Sequence, residues 1–324
     1  MEKAEFIWLD GKFVKWDAAQ VHVLTHTLHY GYGAFEGIRC YATADGPAVF
    51  RLDDHLRRLE RSCRLLLVSS PFSMAEIRSA TLELIRRNRL DHAYIRPLVA
   101  VGHGEVGLGA IENPPRVAIA AFRWGAYLGQ AGLKSGIRLK VSSFVRLHPA
   151  SVMVHAKVCG HYVNNVLAKT EARRAGFDEA LLLDTDGYLA EGSGENIFLV
   201  RRGALVSPDP STHFGGITRD TIIELARERG IAVEERRVAR DEVYLADEAF
   251  VCGTAAEVTP VREVDDRTVG SGNPGPVTRE LSAAFFDVVH GRTAEHENWL
   301  ARVPDAARRP AAAASGAGAS GGRR

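Results

Sequence analysis

Cysteine is scarce. The chain has four in 324 residues, Cys40, Cys63, Cys159 and Cys252, and none forms a C-x-x-C pair. That argues against a disulfide framework and a cysteine zinc site. It fits a reducing compartment, so a cytoplasmic location is expected. An excess of one charge is also missing: 41 Lys and Arg against 40 Asp and Glu leave a net charge of +1. Nothing in that balance points to nucleic acid or an anionic membrane as partner. The opening MEKAEFIWLDG is acidic and has no long apolar run, so neither a signal peptide nor a membrane span is expected. The Walker pattern and G-x-G-x-x-G are absent too, which favours a single phosphate over a nucleotide at any glycine-rich helix start. What is present is ordinary: 46% hydrophobic and 25% charged residues, enough for a sizeable core without staples. The length suggests about two domains of ~150 residues each.

FIWLDGKFVKW reads as a hairpin turning at Asp10-Gly11, and GIRCYATADGPAVFRL as a second with Asp45-Gly46 in its loop. A helix is expected over 53–67, with Asp53 as N-cap. Ser73 and Glu76 form a capping box for a helix running to about Arg89. YIRPLVAVG and RVAIAAFRW are apolar strands. Strands and helices do not alternate strictly, so the class is α+β. The glycine-rich stretch 125–136 reads as a linker between a small N-terminal domain, 1–124, and a larger domain, 137–303. Helices are expected over 162–175, closed by Gly176, over TRDTIIELARERG, closed by Gly230, and over PVTRELSAAFFDVVHG. The tail, 304–324, is low-complexity and expected to be disordered.

Several stretches could carry chemistry. Lys157 is the lone permanent charge between Arg146 and Lys169. It either snorkels to water or sits in a cleft as a nucleophile. In HFGGITRD, two glycines lead into a helix with Thr218 in its first turn. That is either a phosphate cradle or a simple helix cap. Gly253, Thr254, Ala255 and Ala256 form a small-residue turn whose amides could hold an anion. Glu191 and Glu195 lie among glycines in LAEGSGENIF, where a carboxylate could accept from a protonated ring nitrogen or merely sit in a solvated hairpin turn. His22 and His26 have the spacing of one helical face, but no further ligand completes a metal shell, and no metal is expected. Tyr30, Tyr32 and Phe35 would wall an apolar pocket or pack in the core. Together these features match what pyridoxal phosphate requires: a lysine, a partner for the pyridine nitrogen and a phosphate site.

The stretches HYGYGAFEGIRCY, YIRPL, WGAYLG, AKVCGHYVNNVLAKTEARRAG, LAEGSGENIF, GITRD and GTAAEVTPV occur in order along nearly the whole chain. In this the chain resembles the branched-chain amino-acid aminotransferases, pyridoxal-phosphate enzymes of fold type IV. The resemblance implies a small α/β N-terminal domain and a larger domain with a barrel-like sheet. It implies Lys157 as the Schiff-base lysine, Glu191 as partner of the pyridine nitrogen, and Tyr162 near the cofactor's phenolic oxygen. Arg58, the backbone of Ile217 and Thr218, and Thr254 would form the phosphate site. Tyr94 and the amides of Ala255 and Ala256 would take the substrate α-carboxylate, and Arg39 is placed with the substrate-binding residues. Phe35, Gly37, Trp124 and Tyr127 would form the side-chain pocket. Tyr30 would reach in from a second subunit of a homodimer or higher homo-oligomer, and Arg96, with Tyr30 and Tyr127, would read an acidic side chain.

The implied activity moves the amino group of L-leucine, isoleucine or valine to 2-oxoglutarate. Two rivals are another fold type IV enzyme, a D-amino-acid transaminase or aminodeoxychorismate lyase, and a catalytically silent pyridoxal-phosphate-binding protein. The chain also departs from the family pattern: Cys159 and His161 stand where a small residue and an asparagine are usual, and the approach HPASVMVHAK and the loop SPDPSTHFGGITRD are unusual.

Overall fold

The computed structural model describes residues 2–125 and 127–304. Apart from Pro304, the tail expected to be disordered lies outside them. Strands β1 (Phe6–Leu9) and β2 (Lys12–Lys15) form the expected hairpin. Asp10 and Gly11 turn it at φ 47° and 86°, the positive-φ pair that a two-residue hairpin loop demands. Helix α1 (His26–Tyr30) is short and ends at Gly31, φ 65°. His22 lies outside it and stacks on His103 at 4.5 Å, so the helical spacing with His26 is not realised.

Strands β3 (Gly33–Phe35), β4 (Ile38–Thr43) and β5 (Gly46–Phe50) follow. The second hairpin turns at Ala44 and Asp45, and Gly46 already opens β5. Helix α2 (Leu52–Leu65) begins differently from the expectation. Arg51, at φ 49°, holds the N-cap position, and Asp53 lies in the first turn, 2.8 Å from Arg78. There its charge still complements the positive end of the helix. Helix α3 (Met74–Arg87) carries the expected capping box: Ser73 Oγ accepts from Glu76 N–H at 3.2 Å, and the Glu76 carboxylate accepts from Ser73 N–H at 2.8 Å. Strands β6 (Ala93–Val101) and β7 (Pro115–Phe122) complete this half.

The glycine-rich stretch contains a helix, α4 (Gly129–Ser135). Then come β8 (Ile137–Val141), α5 (Tyr162–Arg174), β9 (Glu179–Leu183), β10 (Leu189–Gly192), β11 (Asn196–Arg201) and β12 (Ala204–Pro208). They are followed by α6 (Ile217–Glu228), β13 (Val233–Arg236), β14 (Glu248–Gly253), β15 (Glu257–Val264), β16 (Arg267–Thr268), α7 (Pro276–Val289) and β17 (Leu300–Arg302).

The described residues form two sheets. The first runs β17-β5-β4-β6-β7-β1-β2, with β3 added against β6, and its pairs are antiparallel. The second runs β10-β9-β8-β15-β14-β11-β12-β13, with β16 on β15, and mixes parallel and antiparallel pairs. One apolar cluster lies among the first sheet, α2 and α3, including Ile38, Leu59, Ile77 and Ile95. A second joins the sheets: Tyr41 and Phe50 of the first share it with Phe198, Phe250 and Phe285 of the second half. Each such fully buried large side chain contributes roughly 1.5–3 kcal/mol. The junction between the sheets is therefore held by core packing.

Candidate active site

A cavity of about 300 Å³ is lined by residues from both halves of the chain, a size that suits a small ligand. Lys157 lies in it, on a stretch with little regular structure. Its backbone is fixed by the other half. Its N–H donates to Ser62 Oγ of α2 at 3.0 Å, and its carbonyl accepts from Phe35 N–H of β3 at 3.1 Å. Nζ then donates to Tyr162 Oη at 2.6 Å and stands 4.9 Å from the Phe214 ring centroid and 5.3 Å from that of Phe35. The lysine is thus held in a cleft among aromatic faces and does not snorkel. Tyr162 is the first residue of α5.

Glu191, on β10, is only 6% exposed, so it is not part of a solvated turn. One carboxylate oxygen pairs with Arg146, and the other accepts from Phe214 N–H at 3.0 Å. Glu195 is also buried and lines the cavity, and its Oε1 has no partner among the described residues. Burial first, and then the Glu179 charge, push its carboxyl up to about 8. Glu179 itself pairs with Lys169 and accepts from Ser193 Oγ at 2.6 Å.

The start of α6 also opens on the cavity. Gly216 is its N-cap and no side chain caps it, so the first-turn N–H groups of Ile217 and Thr218 remain for a ligand. A Cβ at Gly216 would lie 2.0 Å from Asn196 Oδ1, so any side chain there would force Asn196 to move. Arg58 reaches the same place from α2 and donates to the Gly215 carbonyl at 2.8 Å. Thr254 and Ala255 line the cavity beside it, and Ala256 is buried just outside the lining. Arg39 is not a lining residue. It grips the turn from behind, donating to the carbonyls of Thr254 at 2.7 Å and Ala255 at 2.9 Å.

Aromatic residues form the remaining wall. Trp124 meets Tyr94 edge-on at 4.8 Å and Tyr127 at 5.5 Å. Tyr94 lies so close to Gly37 that a Cβ there would sit 2.1 Å from Oη. Arg96 projects from β6 into the cavity rather than to solvent. Its Nη2 donates to Tyr94 Oη at 3.0 Å, and its guanidinium stacks 4.8 Å from the Phe35 ring. Tyr30 does not line the cavity and is 43% exposed.

The sequence reading missed Arg146, Phe214, Asn165, Ser193 and Asn196, all of which line the cavity. All but Arg146 lie in stretches quoted above, but their roles rest on bonds to residues distant in sequence.

Two sheets with a lysine, a buried carboxylate and an uncapped helix start between them make the fold type IV enzyme architecture. The chain belongs to the family "Amino-transferase class IV", whose model matches residues 33–264, and it is an enzyme of that class. It is similar to the branched-chain-amino-acid aminotransferase of Pseudomonas aeruginosa, 50% identical over 297 residues that cover 92% of this chain and 97% of that protein. The crystal structure of the Escherichia coli branched-chain amino acid aminotransferase superposes with a TM-score of 0.90 at 46% identity, covering 93% of this chain and all of that one. A T.th. branched-chain amino acid aminotransferase complexed with N-(5'-phosphopyridoxyl)-L-glutamate also gives a TM-score of 0.90 at 46% identity, covering 94% of this chain and all of that one. No helix among the described residues is long and apolar enough to cross a membrane.

Proposed function

We propose that the enzyme transfers the amino group of a branched-chain L-amino acid, leucine, isoleucine or valine, to 2-oxoglutarate, using pyridoxal phosphate held on Lys157. The observation that carries this reading is Lys157 Nζ bonded to Tyr162 Oη at 2.6 Å in one cavity with a buried carboxylate and an uncapped helix start. The donor set fits the cofactor. Arg58, the Ile217 and Thr218 amides and Thr254 suit a phosphate, Glu191 suits a pyridine N–H, and Lys157 suits an aldehyde carbon. The relative with a phosphopyridoxyl-glutamate adduct supports both the cofactor and an acidic substrate.

When bound, the cofactor supplies an electrophilic carbon and a ring that accepts the electron pair left at the substrate Cα. Lys157 would hold it covalently through Nζ. The Lys157 amine, once free, would be the base that takes the proton from the substrate Cα. Tyr162 Oη keeps Nζ aimed in the meantime. Glu191, held by Arg146 and the Phe214 amide, would keep a proton on the ring nitrogen. Tyr94 and the Ala255 and Ala256 amides would hold the substrate carboxylate, with Arg39 fixing that turn. Phe35, Gly37, Trp124 and Tyr127 would enclose a branched side chain, and Arg96 would pair with the second carboxylate of glutamate.

A cytoplasmic homodimer or higher homo-oligomer belongs to the same reading, with exposed Tyr30 reaching a second subunit. So does a division into units 1–124 and 137–303 with the cavity between them.

The test is a borohydride trap. Purified enzyme should be yellow, and reduction should bleach the colour and fix the cofactor to one peptide. A labelled peptide that lacks Lys157 would sink the proposal, as would activity with D- but not L-amino acids. Lys157→Ala should bind the cofactor only non-covalently and lose nearly all turnover.

A further inference from the structure

Beneath the cavity, three charged or titratable side chains are packed together with almost no access to water: Glu36 at 0% exposure, His55 at 2% and Arg58 at 7%. Glu36 lies between β3 and β4, and the other two lie on one face of α2. Arg58 Nε donates to Glu36 Oε1 at 2.7 Å and Nη2 donates to Oε2 at 2.9 Å, a two-pronged fork. His55 Nδ1 meets the same Oε2 at 2.8 Å, and the Gly37 N–H adds a longer bond to it at 3.3 Å.

Burial disfavours the Glu36 carboxylate, but Arg58 and His55 outweigh it and hold the acid well below the usual range. Burial first, with Arg58 and Lys157 adding to it, pushes His55 down despite Glu36. The imidazole is therefore neutral near pH 7. A neutral ring facing a carboxylate donates its Nδ1–H.

The geometry decides what Arg58 can do. A guanidinium has five N–H groups. Glu36 engages two, and the Gly215 carbonyl, at the entry to α6, takes a third at 2.8 Å. The two that remain are on Nη1 and Nη2, where Arg58 lines the cavity beside Thr218. Without Glu36 the guanidinium could rotate about its stem, and those two donors would lose their direction.

We propose that Glu36, backed by His55, is a positioning residue for the cofactor phosphate, aiming the two free N–H groups of Arg58 at it. Glu36 is fully buried and does not line the cavity. Because its charge already balances that of Arg58, the arginine serves the phosphate as an oriented donor more than as net positive charge. The proposal rests on the reading of Arg58 as a phosphate residue, and the test separates the two.

The experiment resolves the enzyme to its apo form and titrates it with pyridoxal phosphate and with pyridoxal, which lacks the phosphate. Arg58→Met sets the reference and should weaken pyridoxal phosphate while leaving pyridoxal nearly unchanged. Glu36→Gln should show the same selective loss, about 10–100-fold, the range seen for outer-shell partners of bound ions. The double variant should bind no more weakly than Arg58→Met alone. His55→Gln, a milder change that keeps Glu36 and Arg58 in place, should give a smaller loss of the same selectivity. If Glu36→Gln fails to fold, His55→Gln decides the matter alone. Equal loss of both ligands, or no loss, in a folded Glu36 or His55 variant overturns the positioning role. An Arg58→Met enzyme that still prefers pyridoxal phosphate by the wild-type ratio overturns the phosphate site itself.

Discussion

The hydroxyl of Ser62 accepts the N–H of Lys157 at 3.0 Å while donating to the carbonyl of Arg58 at 2.9 Å. One turn of α2 thus sets the backbone of the candidate lysine relative to the candidate phosphate arginine. Ser62 is fully buried, so no water can replace it. Ser62→Ala should leave the Lys157 N–H unpaired, at a cost of about 1–3 kcal/mol. The melting temperature should fall by several degrees. A variant that melts with wild type would show that the contact does not hold the lysine.

Glu191→Gln removes the charge proposed to face the pyridine nitrogen but keeps the shape. Cofactor should still bind through its phosphate, while proton removal from the amino donor slows by orders of magnitude in single-turnover spectra. Normal turnover would mean that the ring nitrogen has another partner.

Arg96 stacks on Phe35, which is proposed to face the substrate side chain, and bonds Tyr94, which is proposed to hold the α-carboxylate. Losing a charged hydrogen-bonding partner typically costs ~2–5 kcal/mol. Arg96→Met should therefore raise the apparent constants for glutamate and 2-oxoglutarate strongly and leave leucine, isoleucine and valine little changed. Half-reaction spectra with each donor decide this. Equal losses with leucine and glutamate would make Arg96 a general support of the site.

Glu195 gives stability a pH dependence. Its carboxyl is raised from an ordinary 4.5 to about 8 by burial and by Glu179. Between those values the folded form keeps the proton and the unfolded form has lost it. Folding takes up a proton there, so stability falls as pH rises through the window. Glu195→Gln, which has no proton to lose, should melt increasingly above wild type as pH goes from about 5 to about 9. A constant gap across that range would remove Glu195 as the source.

Cys159 and His161 follow the lysine closely, and His161 lines the cavity. Burial raises the Cys159 thiol above its usual value, the opposite of what a nucleophile needs. Burial, and then Arg146, lower the His161 imidazole and keep it neutral near pH 7. Cys159→Gly and His161→Asn should each keep activity with at least some donors. Loss towards every donor in either variant would give that residue more than a packing role.

The sequence by itself determined what depends on neighbours along the chain. The Asp10-Gly11 turn, the Ser73–Glu76 capping box and the start of α6 after Gly215-Gly216 each follow from φ preference or local hydrogen bonding, and the structure has all three. Ordered motifs also made the family legible. Where a local rule met a competing contact it failed: Asp53 was expected to cap α2, but Arg51 enters the helix in the left-handed region and Asp53 pairs with Arg78. Only the tertiary structure decided which charges face one another. Arg146 meets Glu191, Glu36 forks Arg58, Ser62 holds Lys157, and Arg39 grips the 254–255 carbonyls. The first two pairings each form within one half of the chain, and the last two join the halves, whose proximity follows from packing the two sheets over a shared core. The energy of each pairing depends on distance and burial, which no local pattern in the sequence encodes.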